Sequence, residues 1–148
     1  MRFTIGECGR EEWRKFRRYH YLNTDLSRSA KCFALYNDIG DSIAFLAYLH
    51  QMHPIIKNLK RVSRLVVLPD YQGIGIGTSF LETIAKHIVE NGFEFDITTS
   101  AKNLILALHR KNQWVLKRVG RLSPNSDPSK RQRCNVKTAT FLFRHIKK

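Results

Sequence analysis

Residues 61–77, Arg-Val-Ser-Arg-Leu-Val-Val-Leu-Pro-Asp-Tyr-Gln-Gly-Ile-Gly-Ile-Gly, constrain the fold more than any other stretch. Val62 to Leu68 form a short apolar, β-branched run that predicts a buried strand. Pro69 ends it, because proline has no N–H to give a ladder. Pro69, Asp70 and Tyr71 predict a turn. Glycines follow at positions 73, 75 and 77. Beyond them Phe80, Leu81, Ile84, Ala85, Ile88 and Val89 recur at three- and four-residue intervals, the period of an amphipathic helix. Strand, glycine loop and helix start aim backbone N–H groups at an anion, and the helix dipole favours negative charge there. The loop lacks the Lys-Ser/Thr ending of a P-loop, and its glycines are not spaced G-x-G-x-x-G.

The rest of the chain predicts short elements around this unit. Residues 2–5 read as a first strand and residues 9–19 as a helix, with Glu11 and Glu12 in its first turn and Trp13 and Phe16 on one face. Residues 31–37 and 43–50 read as two strands joined by a tight Asp-Ile-Gly-Asp turn, with residues 51–60 as a connection. Asn91-Gly92 stops the long helix. Residues 93–99 alternate as a strand, 100–112 form a short helix, and 114–119 and 136–146 are closing strands. Between those two lies a loop, residues 120–133, rich in Ser, Pro and basic residues, the segment expected to be disordered or to bind a partner. The 148 residues suit one domain over the whole chain, with no internal repeat.

Charge is the loudest compositional fact. The formal net charge is +14, and residues 110–148 carry twelve Lys/Arg against one acid, Asp127. Arg14, Lys15, Arg17 and Arg18 form a second cluster. Charge this lopsided points to a polyanionic partner, most simply nucleic acid. No apolar run approaches 18 residues and no leader pattern is visible, so no membrane association is expected. Cys8, Cys32 and Cys134 are far apart and odd in number, which fits reduced thiols in a cytoplasmic protein rather than a disulfide framework or a zinc site.

Gln72-x-x-Gly75-x-Gly77, between an apolar strand and an amphipathic helix, resembles the pyrophosphate-binding signature of the GCN5-related N-acetyltransferase (GNAT) superfamily. The resemblance implies an α/β fold: a mixed, mostly antiparallel sheet with splayed central strands and helices on both faces. It implies acetyl-CoA or another CoA species as cofactor. The pyrophosphate would lie on the loop formed by Gln72, Gly73, Ile74, Gly75, Ile76, Gly77 and Thr78. The pantetheine arm would lie between the two splayed strands, here residues 62–68 and 93–99, paired with the first much as an added strand. Backbone N–H groups of Leu65, Val66 and Val67 would polarise the thioester carbonyl.

Acyl transfer also needs a neutral amine and a stabilised thiolate. Counting back from Trp114, His109 stands where the superfamily often has a tyrosine acid, a departure from the pattern. Asp96, in mid-strand, is a candidate general base. A second resemblance rests on Trp13-x-x-Phe16-x-x-Tyr19-His20-Tyr21-Leu22, the stretch 61–75, Ser100 and Asn112-Gln113-Trp114. These are similar to small phage-encoded members of the superfamily, the Mom-type DNA-modification proteins, which act on adenine in DNA. That likeness implies His20 and Tyr21 as active-site residues and iron ligands, Arg64 and Ser100 beside the cofactor, and DNA rather than RNA as partner. It would place the protein in a host cytoplasm. Two rivals stand beside it: an ordinary acetyl-CoA N-acetyltransferase acting on a protein or small amine, and a non-catalytic nucleic-acid-binding module on the same fold.

Overall fold

The computed structural model describes residues 2–19, 26–121 and 137–144. Among the described residues, seven strands form one sheet: β1 (Thr4–Cys8), β2 (Lys31–Tyr36), β3 (Ser42–His50), β4 (Leu59–Val67), β5 (Glu94–Thr99), β6 (Trp114–Arg121) and β7 (Lys137–Phe143). The helices are α1 (Trp13–Phe16), α2 (Ile76–Glu90) and α3 (Lys102–His109). The spatial order is β1-β2-β3-β4-β5-β7-β6. Only β4 and β5 pair in parallel, as the α2 crossover between them requires. The mixed, mostly antiparallel sheet agrees with the expected fold.

Side chains alternate across the strands, so the sheet carries two cores. On one face Trp13 and Phe16 of α1 pack with Phe45, Ala47 and Val66. On the other, Phe80, Leu81, Ile84 and Ile88 of α2 pack with Ala44, Leu46, Val62, Phe95 and Phe141, and Leu108 of α3 joins them.

Some boundaries differ from the sequence reading. β4 begins at Leu59, inside the segment expected to be a connection, because Leu59 is buried and pairs with Glu94 of β5. Residues 10–19 are a single α turn between two 3-10 turns, Arg10–Glu12 and Arg17–Tyr19, rather than one continuous helix. α2 starts at Ile76, so Ile76, Gly77 and Thr78 of the expected loop lie in its first turn. Residues 122–133 of the basic loop lie outside the described residues.

Two irregularities of β4 shape the centre of the sheet. The first is a bulge: Ala47 of β3 faces Arg64 and Tyr48 faces Val62, so Ser63 is an extra residue with no partner opposite. The Ser63 hydroxyl donates to the Ala47 carbonyl at 3.3 Å. The extra residue reverses the alternation. Val62 packs with the α2 core, yet Val66, four residues on, packs with α1, while Leu65 and Val67 turn toward α2. The second is the short contact with β5. The parallel pairs run only from Leu59↔Glu94 to Arg61↔Asp96. Past them the strands part. β5 keeps its other neighbour, from Asp96↔Leu142 to Thr99↔Ala139.

Candidate active site

A cavity of about 280 Å³ lies where β4 and β5 part. Val62, Ser63 and Leu65 line it from β4, Ile97 to Thr99 from β5, and Ser100, Ala101 and Leu104 from the start of α3. Tyr19, at the end of the α1 segment, completes the lining. On its β5 side, β4 has no strand partner over residues 62–67, so alternate N–H and C=O groups of a central strand are left for a guest. An extended, amide-bearing molecule could pair there as a strand would.

The glycine loop leads from the end of β4 to α2. Pro69–Tyr71 make one 3-10 turn. Gly73 and Gly75 have φ of +84° and +82°, the left-handed region that glycine enters without Cβ strain. Gly75 is the N-cap of α2 and no side chain caps the helix. The first intrahelical bond is from Ser79 N–H to the Gly75 carbonyl, so Ile76, Gly77 and Thr78 precede any intrahelical acceptor for their N–H groups. Gly77 is glycine for a different reason: a Cβ there would meet Val67 Cγ2 at 3.1 Å. α2 thus sits close enough to β4 that a side chain there would have to move the Val67 methyl by a few tenths of an ångström. The Gln72 amide donates to the Val67 carbonyl at 2.7 Å and ties the loop to the strand end. These residues fit a diphosphate: open glycine backbone, uncapped N–H groups and the positive end of a 15-residue helix.

The other sequence-derived residues separate. Ser100 lines the cavity, and the Thr99 hydroxyl accepts from the Ala101 N–H at 3.1 Å to set the turn that carries it. Leu65 faces the cavity, while Val66 is buried against α1. Arg64 does not line the cavity. Its guanidinium lies over the Trp13 ring, 5.6 Å from the centroid, and donates to the Ser63 carbonyl at 2.8 Å. Asp96 is buried and forms a two-point pair with Arg61, both contacts at 2.8 Å. These hydrogen bonds raise the Arg61 pKa, against a lowering by partial burial. Both carboxylate oxygens are therefore engaged, which makes Asp96 a counter-ion rather than a free base. His109 is exposed at the last position of α3 and does not line the cavity. His20 and Tyr21 lie outside the described residues. Among the described residues no group of three or more His, Cys, Asp or Glu could hold a metal, so they supply no ligand set for iron.

Alternation along the strand allows either Ser63 or Arg64 to face the cleft, and Tyr19 stands in the Tyr19-His20-Tyr21 group; the cavity takes Ser63 and Tyr19. The Ser63 bulge that settles the choice leaves no mark in composition, and Tyr19 comes from the α1 segment, whose Trp13 and Phe16 pack with Phe45 and Val66. A second cavity of about 680 Å³ was missed. It is lined by Arg10, Glu11, Trp13, Arg14, Arg17, Leu26 and Arg28. The basic run at residues 14–18 thus divides. Arg14 and Arg17 face this groove, Lys15 is bound to the Ser42 carbonyl and hydroxyl, and Arg18 lies over the Tyr19 ring. The Arg10/Arg14/Arg17 spacing was the available signal.

Solved structures share this architecture. A phosphinothricin acetyltransferase from Sinorhizobium meliloti, in complex with acetyl-CoA, superposes with a TM-score of 0.70 at 17% identity, over 96% of this chain and 88% of that one. A ribosomal-protein alanine N-acetyltransferase from Escherichia coli gives 0.68 at 16% identity, over 99% and 97%. An IAA acetyltransferase from Bacillus cereus gives 0.64 at 15%, over 96% and 99%. No curated protein matches the sequence. No helix among the described residues is long and apolar enough to cross a membrane. The family model described as the Acetyltransferase (GNAT) family matches residues 3–111, the span that holds the glycine loop, both splayed strands and α3. The chain belongs to the acetyltransferase (GNAT) family.

Proposed function

We propose that the protein is a CoA-dependent N-acyltransferase whose acceptor amine is carried by nucleic acid. The observation that carries the transferase reading is the parting of β4 and β5 beyond Arg61↔Asp96, over a cavity, in a sheet whose β4 runs on through the glycine loop to an uncapped helix start. The loop around Gly75 would hold the pyrophosphate, and the open edge of β4 would hold the amide-bearing arm. The bound thioester supplies an activated acyl group. The unpaired N–H groups of β4 would stabilise negative charge on its carbonyl oxygen. Tyr19, Ser63, Thr98, Thr99 and Ser100 bring hydroxyl groups to the cavity. Ser63 bonds the Ala47 carbonyl, Thr98 bonds Thr140 and Thr99 accepts from the Ala101 N–H, so Tyr19 and Ser100 are the first candidates to meet a leaving sulfur or an incoming amine. With Asp96 engaged by Arg61, the amine must arrive neutral or lose its proton through one of these hydroxyls or water.

The acceptor class rests on charge. A net +14 disfavours a cationic amine as free substrate and favours an amine on a polyanion. Modification of adenine in DNA is the sharpest form of this reading and rests on the Mom-like resemblance. The second reading, transfer to a protein or small amine, is favoured by relatives of that kind. Thiol release from acetyl-CoA, followed with DNA, RNA, a peptide amine and a small primary amine in turn, tests both. Transfer only to the peptide or small amine would replace the nucleic-acid reading. No cofactor binding would remove the enzyme reading and leave a nucleic-acid-binding module. Nucleoside mass spectrometry of DNA from cells with and without the protein tests the adenine product. Metal analysis of wild type and His20→Ala tests iron: equal, near-zero occupancy in both ends that idea.

A further inference from the structure

We infer that the arginine groove beside α1 is the surface on which the phosphates of a nucleic-acid strand dock, and that it delivers the strand to the cleft at Tyr19. This rests on the nucleic-acid reading of the function and names its binding surface.

The groove is built, not just charged. Trp13 is buried under it and fixes the α1 segment to β3 through Phe45, with ring centroids 5.5 Å apart. From that base Arg10, Arg14 and Arg17, at four- and three-residue spacing, turn to one side. Arg28 meets them from the segment before β2. Glu11 is the one acid among the described lining residues. Arg10 to Arg17 spans seven residues of mixed 3-10 and α turn, roughly 10–14 Å. That length is enough to meet a few successive phosphates of one strand. Guanidinium groups suit this ligand because their fork of N–H donors matches phosphate oxygens.

The groove is also joined to the cleft. Trp13 lines it and carries the Arg64 guanidinium on its ring, and Arg64 follows Ser63, which lines the cleft. The same α1 segment ends at Tyr19, part of the cleft wall, with the Arg18 guanidinium 4.8 Å over its ring. An aromatic ring at the end of a cationic track is the arrangement that stacks a base after the backbone has been gripped.

The test compares the full-length protein, an Arg10→Gln/Arg14→Gln/Arg28→Gln variant and a Lys31→Gln/Lys57→Gln/Lys86→Gln variant. The last loses the same charge from other surfaces. Affinity for a 20-nucleotide DNA strand and for its duplex is measured across a salt series. Each lost phosphate contact should flatten the log–log salt slope by about 0.7–0.9. The arginine variant should lose about 2–3 of slope, and roughly 100-fold in affinity near 0.1 M salt. The lysine variant should keep a slope close to wild type. Acetyl-CoA binding should be unchanged in both, which also reports folding. If the arginine variant does not fold, Arg28→Gln alone, outside the α1 segment, should still flatten the slope by nearly one. Equal loss in the two triple variants overturns the groove and leaves the nucleic-acid reading standing. A wild-type slope near zero removes that reading itself.

Discussion

Gly75 and Gly77 stand two residues apart and are glycines for separate reasons. Gly75 holds φ +82° with nothing within 4 Å of a built Cβ, so alanine there meets no clash and pays only for the left-handed backbone. The cost is about 1–2 kcal/mol, or a shift of the loop to avoid it. A shifted loop turns the N–H groups at the start of α2 away from a common point. Gly75→Ala should therefore lose stability in urea unfolding and also weaken acetyl-CoA binding by calorimetry. At Gly77 alanine gains helix propensity and has only to displace a Val67 methyl by a few tenths of an ångström, so its stability loss should be smaller. Equal losses at both sites would mean that backbone conformation does not set the loop. Cys8 gives a pH-dependent case. It sits directly across from Cys32 in the β1–β2 ladder, half-buried. Burial, then the Cys32, Glu12 and Glu11 charges, push its thiol from 9.0 up to about 12. The neutral thiol is the form favoured by folding. Its contribution is full below pH 9 and is lost as pH rises from 9 toward 12. The stability difference between wild type and Cys8→Ala should narrow above pH 9 in urea unfolding measured from pH 8 to 10.5. A difference that is flat across that range would show that the thiol titrates normally.

Among the elements, β4 decides the site, and the Arg61–Asp96 pair decides where β4 lets go of β5. The pair closes the last parallel rung with two 2.8 Å contacts, and Asp96 is buried. Removing the carboxylate leaves a part-buried guanidinium without its counter-ion. Asp96→Ala should cost about 3 kcal/mol. Arg61→Ala strands the buried carboxylate and should cost a similar amount. The double variant should cost clearly less than the sum, a coupling that a double-mutant cycle reads directly. Strictly additive losses would mean that the two side chains are held independently. Asp96 also shows how far the sequence could be read. Its place in a mid-strand position of β5 was legible from alternation. Its partner was not, because no local pattern says which residue of β4 lies across a parallel rung. The order of strands and helices was legible because hydrophobic period and glycine punctuation are local signals. The start of β4 was not, because Lys60 and Arg61 disguise Leu59 as part of a polar connection. The Ser63 bulge was also hidden, and with it the face of Arg64. Strict alternation puts Ser63 and Arg64 on opposite faces, whereas an inserted residue breaks that count and leaves Arg64 over Trp13.

At the scale of the molecule, the sheet consists of two unequal leaves, β1-β2-β3-β4 and β5-β7-β6, joined by three parallel rungs. What keeps the leaves together past those rungs is the core under α2. Phe33, Leu35, Ala44 and Leu46 come to it from one leaf, and Phe95, Ile97, Phe141 and Phe143 from the other. The opening is thus a hydrogen-bond gap above a continuous apolar floor, and it can persist without unzipping the sheet. A ligand that pairs along β4 adds backbone bonds where the leaves lack them and touches both. At a concentration one hundred times its Kd, acetyl-CoA should stabilise the protein by about 2.7 kcal/mol. For a chain of this length that raises Tm by roughly 5–10 °C. The location of the effect is the sharper measurement. Hydrogen exchange should slow in residues 62–67 of β4 and at the turn into α2, around Gly75. The Cys8↔Cys32 end of the β1–β2 ladder, which lines neither the gap nor the loop, should change little. Uniform slowing would mean that the cofactor acts only through global stability. Slowing confined to the α2 start would mean that the pyrophosphate is held while the arm stays outside the gap. Only protection of both the loop and the open side of β4 fits a cofactor that crosses from one to the other and closes the space between the leaves.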